Sequence, residues 1–254
     1  MIVEYQRPKT IDEALRLLSR AEPLTLPLGG GTALNRWAQA ESQAVAVIDL
    51  QALGLNKIEM RGSNLHLGAV VTLQDLLDHP GLPAMLYEAV RLEATHNLRQ
   101  AATLAGTLAS ADGRSPLTTV MLALDATLTI RKASGTEKIG LGSWLPLRRA
   151  GAGGGLITEI VLTAAGAVKL SYEYVARTPA DRPIVCAAVA QWPAGRTRLA
   201  LGGWGTAPLL AMDGPEPGGV EAAAHNAYSQ AGDQWASAEY RAAMAVTLAK
   251  RCQG

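Results

Sequence analysis

Three consecutive glycines, Gly29, Gly30 and Gly31, follow the apolar run "LTLPL" and precede Thr32. Glycine lacks a Cβ, so its amide can approach a ligand closely and its backbone can adopt positive φ. Successive amides in such a loop form a concave nest that binds phosphate without a charged side chain. The Thr32 hydroxyl adds one more donor. The triplet therefore favours a phosphate-bearing ligand, with a plain turn between a strand and a helix as the alternative.

A second stretch, "TLAGTLASAD" at residues 103–112, offers a hydroxyl, a glycine, another hydroxyl and a run of small residues before a helix. The near absence of large side chains suits a backbone that lies against a flat or phosphorylated ligand. Tight helix–strand packing selects the same residue types and is the alternative. The first loop matches neither GxGxxG nor GxxxxGK[ST]. The pair of loops nevertheless predicts a ligand gripped between them.

Composition excludes several classes of protein. The chain has 254 residues, 48% of them apolar and 18% charged, which is typical of a folded chain with a sizeable core. With 23 basic and 22 acidic residues, it has no general attraction for nucleic acid or anionic lipid. We predict no transmembrane span and no signal peptide, since no apolar run is long enough and acids occur early.

Cysteine and histidine usage predicts no metal site. Cys186 and Cys252 have no CxxC partner and indicate a reducing cytoplasm. None of the four histidines is paired at i, i+4, and His66 is expected at the surface or at an interface. Nucleophilic catalysis has no GxSxG signature. We therefore expect no catalytic side chain, so that any redox chemistry needs a bound cofactor.

The elements that must position the two loops can be predicted from periodicity and capping. Thr10, with Glu13 three residues on, is a candidate N-cap for a helix. Strands at 23–30, ending in glycine, and at 44–50 fit a small parallel βαβ unit. A hairpin around residues 61–64 follows, then helices near 73–79 and 82–94, a helix and a strand after residue 112, and a strand at 156–163.

The last third is predicted to hold strands at 184–192 and 197–204, followed by helices. The final helix spans 237–252, with Ser237 as its cap. A boundary is expected near 164–169, after the glycine-rich stretch 148–155. The architecture is α+β in two or three subdomains.

The order of motifs resembles the FAD-binding medium subunit of the molybdenum hydroxylases, the family of carbon monoxide dehydrogenase and of the flavin part of xanthine dehydrogenase. Five segments carry the resemblance: "YQRPKTIDEALRLL", "LGGGTALNRW", "IDLQALGLNKIEMRGSNLHLGAVVTLQDL", "TLAGTLASADGRSPLTTVMLALDATL" and "GDQWASAEYRAAMAVTLAKRC". The segment "LGGGTALNRW" is similar to the family's first flavin loop, AGGTxL. The segment that begins "TLAGTLASAD" is similar to the family's second flavin loop, TIGGSLAxADP. Together the five segments cover nearly the whole chain.

The resemblance implies an α+β fold in three parts. Two α/β subdomains of the PCMH-type, vanillyl-alcohol-oxidase-like fold, residues 1–55 and 56–165, would hold FAD. Residues 166–254 would form a subdomain with a small antiparallel sheet and helices that closes over the isoalloxazine ring. The implied role is electron transfer in the cytoplasm. A molybdopterin centre on a large partner would pass electrons to [2Fe–2S] clusters on a small partner, and this chain would pass them from the clusters to a small-molecule acceptor.

Carried over by position, the resemblance assigns the FAD diphosphate and ribose to the two loops, and the ring or the adenine to residues further along. The implied cofactor-binding residues are Leu28, Gly29, Gly30, Gly31, Thr32, Ala33, Leu34, Thr103, Ala105, Gly106, Thr107, Ser110, Asp112, Leu156, Ile157 and Tyr174.

Three departures from the family pattern bear on FAD. Ala105 replaces one glycine of TIGG, and Pro116 stands where a second aspartate is common. Tyr174 occupies the place of a lysine near the flavin. Charge near the ring tunes its potential, so the missing cation predicts a lower flavin potential or weaker FAD retention, which potentiometry can measure.

The departures leave two rival functions open. One is an FAD-free scaffold that assembles the same complex, and the other is a free-standing FAD oxidoreductase. Arg177 and Asp181 fit either a structural ion pair or flavin contact, and Trp204 is expected to pack inside the carboxy-terminal subdomain. Trp144 is a candidate interface anchor.

Overall fold

The computed structural model describes residues 1–34, 44–148, 155–163 and 167–254. They fall into two units that are described separately. The first comprises Met1–His79, Thr95–Ser110 and Thr127–Val161, and the second Pro80–Ala94, Ala111–Ala126 and Leu162–Gly254. The predicted boundary at 164–169 and the glycine-rich stretch 148–155 before it lie largely outside the described residues. The three-part division of the chain stays a prediction.

The first unit contains a three-stranded parallel sheet in the order β1-β3-β2. Its strands are β1 (Ile2–Gln6), β2 (Leu24–Leu28) and β3 (Val45–Asp49). Every residue of the central strand β3 is buried, as expected for a strand covered on both faces. The parallel pairing of β2 with β3 confirms the predicted strand pair. Most of the connection between them lies outside the described residues.

Helix α1 (Ile11–Leu18) precedes β2 and begins where the sequence predicts. The Thr10 side chain accepts a hydrogen bond from the Glu13 amide at 3.2 Å. The Glu13 carboxylate accepts one from the Lys9 amide at 2.9 Å. Ala14 and Leu15 pack with Ile48 in a core cluster, so the apolar stripe of α1 covers the parallel sheet.

A five-stranded sheet in the order β4-β5-β8-β6-β7 completes the strands of the first unit. Its strands are β4 (Ile58–Arg61), β5 (Asn64–Gly68), β6 (Thr127–Lys132), β7 (Gly135–Gly140) and β8 (Leu156–Leu162). The β4–β5 hairpin turns at Gly62 and Ser63, as predicted. Besides α1, the described residues of this unit form a 3-10 helix (Leu50–Leu53) and four α-helices: α2 (Leu73–Asp78), α4 (His96–Arg99), α5 (Leu104–Ser110) and α7 (Leu141–Trp144).

The second unit is built on a four-stranded antiparallel sheet in the order β12-β11-β10-β9. Its strands are β9 (Lys169–Val175), β10 (Val185–Gln191), β11 (Thr197–Gly202) and β12 (Leu209–Gly214). Its helices are α3 (Ala84–Glu93), α6 (Pro116–Ala123), α8 (Val220–Tyr228) and α9 (Ala238–Gln253). The Ser237 side chain caps α9 by accepting from the Tyr240 amide at 3.2 Å, as predicted.

One helix and four strands differ from the sequence-based expectation. Residues 103–112 are not a loop that leads into a helix, because Leu104–Ser110 already form helix α5. Leucine and alanine favour the helix, and Leu104 and Leu108 share its buried face. Strands β1, β7, β9 and β12 were not predicted. In the part of the chain that the structure describes, no helix is long and apolar enough to cross a membrane.

Both cysteines are free and buried, Cys186 at 0% and Cys252 at 3% exposure. Burial raises the pKa of Cys186 to about 11 and that of Cys252 to about 12. Since the thiolate is the nucleophile, we expect the native chain to react with Ellman's reagent at pH 8 at least about 100-fold more slowly than the urea-unfolded chain. Ser134→Cys, at an exposed turn, serves as the reactive control. Rapid labelling of both native cysteines would contradict their burial.

Candidate functional site

The first glycine loop leaves strand β2 at the carboxyl edge of the parallel sheet. Ligands of open α/β sheets bind in the crevice outside the carboxyl ends of the strands. Gly31 has a φ of 73°, a left-handed conformation that favours glycine. The Gln51 side chain donates to the Gly29 carbonyl at 3.1 Å, while the Gln51 amide donates to the Asp49 carboxylate at 2.9 Å. The end of β3 thus fixes the loop.

Gly29 and Gly30 are required by a close approach to the segment before helix α5. A Cβ on Gly30 would lie 1.5 Å from the Ala101 carbonyl oxygen. A Cβ on Gly29 would lie 2.4 Å from Thr103 Oγ1. Neither position has room for a side chain, since real Cβ contacts are not shorter than 3.0 Å. Within the first unit, the start of the second predicted loop lies directly against the first.

The amides of helix α5 are engaged inside the fold. Those of Leu104 and Ala105 donate to the carbonyls of Val71 and Ala69 at 2.8 and 3.1 Å. The Gly106 amide donates to Thr103 Oγ1 at 3.3 Å. The amide and the hydroxyl of Thr107 both donate to the Thr103 carbonyl. The Ser110 hydroxyl likewise donates to the Gly106 carbonyl at 2.8 Å.

The amides of the first loop differ from those of α5 in their hydrogen bonding. In the described part of the chain, the amides of Gly30, Gly31 and Thr32 donate to no other residue. All three residues are partly exposed. Amides that have no partner in a partly exposed, positive-φ glycine turn can donate to an anionic ligand. The loop therefore fits a diphosphate through its own amides, whereas the second stretch supports the loop by packing.

Thr103 links the two stretches, and its hydroxyl can be tested by an isosteric change. Thr103→Val removes the acceptor of the Gly106 amide at the start of α5. We expect a loss of about 1 kcal/mol in the free energy of unfolding, the usual cost of losing an N-cap. Urea denaturation measures it. Thr247→Val, at a half-buried helical threonine whose hydroxyl donates to the Ala243 carbonyl, is the control and is expected to change stability by less than about 0.5 kcal/mol. Equal values for the two variants would contradict the capping role.

Leu156 and Ile157 begin strand β8 of the first unit. Leu156 is 3% exposed and packs in the core cluster that contains Leu15, Ile48 and Val70. Its side chain therefore stabilises the fold, and its backbone pairs with Arg131 of β6 within the sheet. Ile157 is partly exposed.

Asp112 and Tyr174 belong to the second unit. The Asp112 carboxylate accepts from Arg182 Nη1 and from the Arg114 amide, both at 2.9 Å. Partial burial raises the pKa of Asp112, but the hydrogen bonds from Arg182 and the Arg114 amide outweigh it, so the pKa lies below its usual value. The Tyr174 ring stacks on Tyr172, with centroids 5.9 Å apart.

Pro116, the departure at the family's second aspartate, is the first residue of helix α6. Proline suits this position because the missing amide would have no intrahelical partner. Ser115 caps the helix by accepting from the Thr118 amide at 3.1 Å. The Glu93 carboxylate accepts from the Ser115 hydroxyl at 2.7 Å and from the Leu117 amide at 3.0 Å. Sequence analysis missed Glu93, because it lies far from Ser115 in the chain.

Three other predictions can now be judged. Trp204 packs in the core of the second unit, edge-on to Tyr228 with centroids 6.3 Å apart, which confirms its packing role. Arg177 and Asp181 form no ion pair, so that alternative is wrong. The Asp181 carboxylate instead accepts from the Thr178 amide at 3.1 Å. His66 is half-buried, with Nδ1 2.9 Å from Glu159 Oε1.

Comparison with known proteins identifies the family. Residues 1–163 match the family described as "FAD binding domain in molybdopterin dehydrogenase". The chain is 30% identical to the uncharacterized protein YgfM of Escherichia coli K12, over 84% of this chain and 79% of that protein. It is 26% identical to the glyceraldehyde dehydrogenase medium chain of Sulfolobus acidocaldarius, over 82% of this chain and 78% of that one.

Comparison of the fold with solved structures agrees with this family. A chain of carbon monoxide dehydrogenase from Hydrogenophaga pseudoflava, in a form that lacks the Mo-pyranopterin moiety, superposes with a TM-score of 0.84 at 25% identity. The alignment covers 99% of this chain and 96% of that chain.

The chain therefore belongs to the FAD-binding domain family of the molybdopterin dehydrogenases. It is an FAD-binding subunit of the molybdenum hydroxylase type, and its cofactor is FAD. The resemblance and the α+β fold class predicted from the sequence are both confirmed.

Proposed function

We propose that the chain is the electron-transfer subunit of a heteromeric molybdenum hydroxylase or dehydrogenase and is active within that complex. Bound FAD would supply the redox chemistry, accepting electrons from [2Fe–2S] clusters and passing them to a small-molecule acceptor. The observation that carries the proposal is the first glycine loop. Its residues are partly exposed, the amides of Gly30, Gly31 and Thr32 donate to no described residue, and Gly29 and Gly30 pack against residues 101–103.

The residues of the loop would have different roles in binding FAD. Gly29 and Gly30 allow the loop to seat against the segment before α5, and Gly31 turns it. The amides of Gly30, Gly31 and Thr32, with the Thr32 hydroxyl, would donate to the diphosphate. Backbone donors fixed before binding lose little conformational entropy when the ligand arrives. No side chain needs to exchange a proton, so the chain's task is to bind and orient the cofactor.

The partners follow from the family. We propose a large subunit that carries molybdopterin and a small subunit that carries [2Fe–2S] clusters. Relatives named as a medium chain or subunit support this arrangement, among them the nicotine 6-hydroxylase medium subunit of Paenarthrobacter nicotinovorans, 30% identical over 54% of this chain and 50% of that one. The organic substrate would be selected by the molybdenum subunit. The location in the cytoplasm stays a prediction.

An FAD-free scaffold subunit of the same complex is the second candidate. It is favoured by helix α5, where the amide of Ala105, which replaces a family glycine, already donates to the Ala69 carbonyl. The second stretch then offers fewer donors than the first. The assignment of Asp112 and Tyr174 to the cofactor likewise stays a prediction of the resemblance.

FAD titration of the purified chain tests the two candidates. A yellow chain, or one that takes up FAD with a shifted flavin spectrum, supports the electron-transfer subunit. A colourless chain that still binds its partners supports the scaffold. Thr32→Val is expected to weaken FAD binding about tenfold, the value of one hydrogen bond to a charged group. Thr136→Val, an exposed threonine in the same unit, is the control and leaves affinity unchanged.

A further inference from the structure

Two arginines of the second unit lie over one tryptophan ring. The guanidinium carbons of Arg114 and Arg177 are 4.6 and 4.9 Å from the centroid of the Trp235 indole. Both distances are within the range of cation–π attraction. Trp235 is 38% exposed and Arg177 is exposed, so the cluster is open to solvent.

The cluster is held in place by the backbone around it. Arg114 Nε donates to the Pro183 carbonyl at 2.8 Å and its Nη2 to the Arg182 carbonyl. The Trp235 amide donates to Asp233 at 2.8 Å. Arg114 and the Trp235 segment are thus fixed before any ligand arrives, which lowers the entropy cost of binding.

Two other arginines and two aspartates act electrostatically on Arg114. They are Arg182 and Arg241, and Asp112 and Asp233. Arg182 pairs with Asp112, and Arg241 with Asp233. Asp181 accepts from a backbone amide. Among the described residues, Arg177 has no carboxylate partner.

This arrangement favours a dianion. Two guanidinium groups within 5 Å of one ring centroid concentrate positive charge there, which attracts an anion. The planar donor fork of arginine matches the oxygens of phosphate, and a phosphate monoester carries close to two negative charges at neutral pH. Nη1 of Arg114 donates to no described residue and remains available, together with the donors of Arg177.

We propose that Arg114, Arg177 and Trp235 form a binding site for the phosphate group of a small molecule. The proposal is independent of the role of the glycine loop and goes beyond FAD-dependent electron transfer. It assigns to the second unit a site of its own, built on one tryptophan ring and the two arginines that lie over it.

Calorimetric titration of the full chain with inorganic pyrophosphate at low ionic strength tests the site. FAD is present at saturation if the chain binds it, so that the glycine loop is occupied. We expect Arg177→Gln to weaken pyrophosphate binding about tenfold, the value of a charge-assisted hydrogen-bond pair. Arg251→Gln, an exposed arginine on helix α9, is the matched control and should change affinity less than twofold. Succinate, as the carboxylate probe, is expected to bind more weakly than pyrophosphate.

Several outcomes would overturn the proposal. These are no pyrophosphate binding, equal losses in the two arginine variants, or binding that disappears when FAD is saturating, which would assign the arginines to the FAD site. Tighter binding of succinate would replace phosphate by carboxylate and overturn the stated ligand class. A chain without FAD that still binds pyrophosphate through Arg177 supports the site even if the proposed function fails.

Discussion

Gly30→Ala is expected to abolish FAD retention and to destabilise the chain. The new methyl group would lie 1.5 Å from the Ala101 carbonyl oxygen, a backbone atom that no rotamer change can move. Overpacking of this kind costs about 3 kcal/mol, and the loop must shift away from the segment before α5. Because the amides of Gly30, Gly31 and Thr32 move with the loop, FAD affinity should fall more than about tenfold.

Gly140→Ala is the matched control for this variant. Gly140 lies in the same unit with negative φ, and a Cβ there would meet no atom within 4 Å. Its stability in urea and its FAD affinity should both stay close to those of the wild type. If Gly30→Ala bound FAD as tightly as the control, the first loop would not be the diphosphate site. If neither variant bound FAD, the scaffold candidate would gain support.

Arg241→Met is expected to be the most destabilising change in the second unit. The Arg241 side chain is 0% exposed. Its Nη1 donates to the carbonyls of Ile184 and Gly203, and its Nη2 to Asp233 at 2.6 Å. Methionine fills the space but leaves these acceptors without the guanidinium. Breaking a buried charged pair from one side costs about 3–5 kcal/mol, which urea unfolding would measure.

The loss from Arg241→Met should depend on pH. Partial burial raises the pKa of Asp233, but hydrogen bonds from the Trp235 amide and Arg241 outweigh it and hold the pKa below its usual 3.8. A carboxylate of lowered pKa stabilises the fold above that value, and the contribution is lost as the pH falls below it. The difference between wild type and Arg241→Met should therefore shrink below pH 4.

Arg251→Met, on the exposed face of the same helix, is the control and should change stability by less than about 0.5 kcal/mol. A double-mutant cycle with Asp233→Asn isolates the ion pair from the two carbonyl contacts. Equal stability of Arg241→Met and Arg251→Met would show that the buried guanidinium is not needed for the fold.

Local signals in the sequence were enough for many elements and for the family. Thr10 and Ser237 mark helix starts because capping depends on residues only three positions apart. The hairpin at 61–64 follows from alternation around a turn. The glycine triplet indicates, by its composition alone, a place where the backbone can come close to another group. These features depend on neighbours in the chain, so they can be predicted without coordinates.

Contacts between distant segments were decided only by the tertiary structure. That Gly30 faces Ala101, that the amides of α5 donate to residues 69–71, and that Glu93 caps α6 all depend on how elements pack. Residue type indicates which groups can form hydrogen bonds, whereas packing determines which of them are already bonded and which remain for a ligand. For this reason the sequence predicted two equivalent phosphate loops, while the fold leaves free amides mainly on the first.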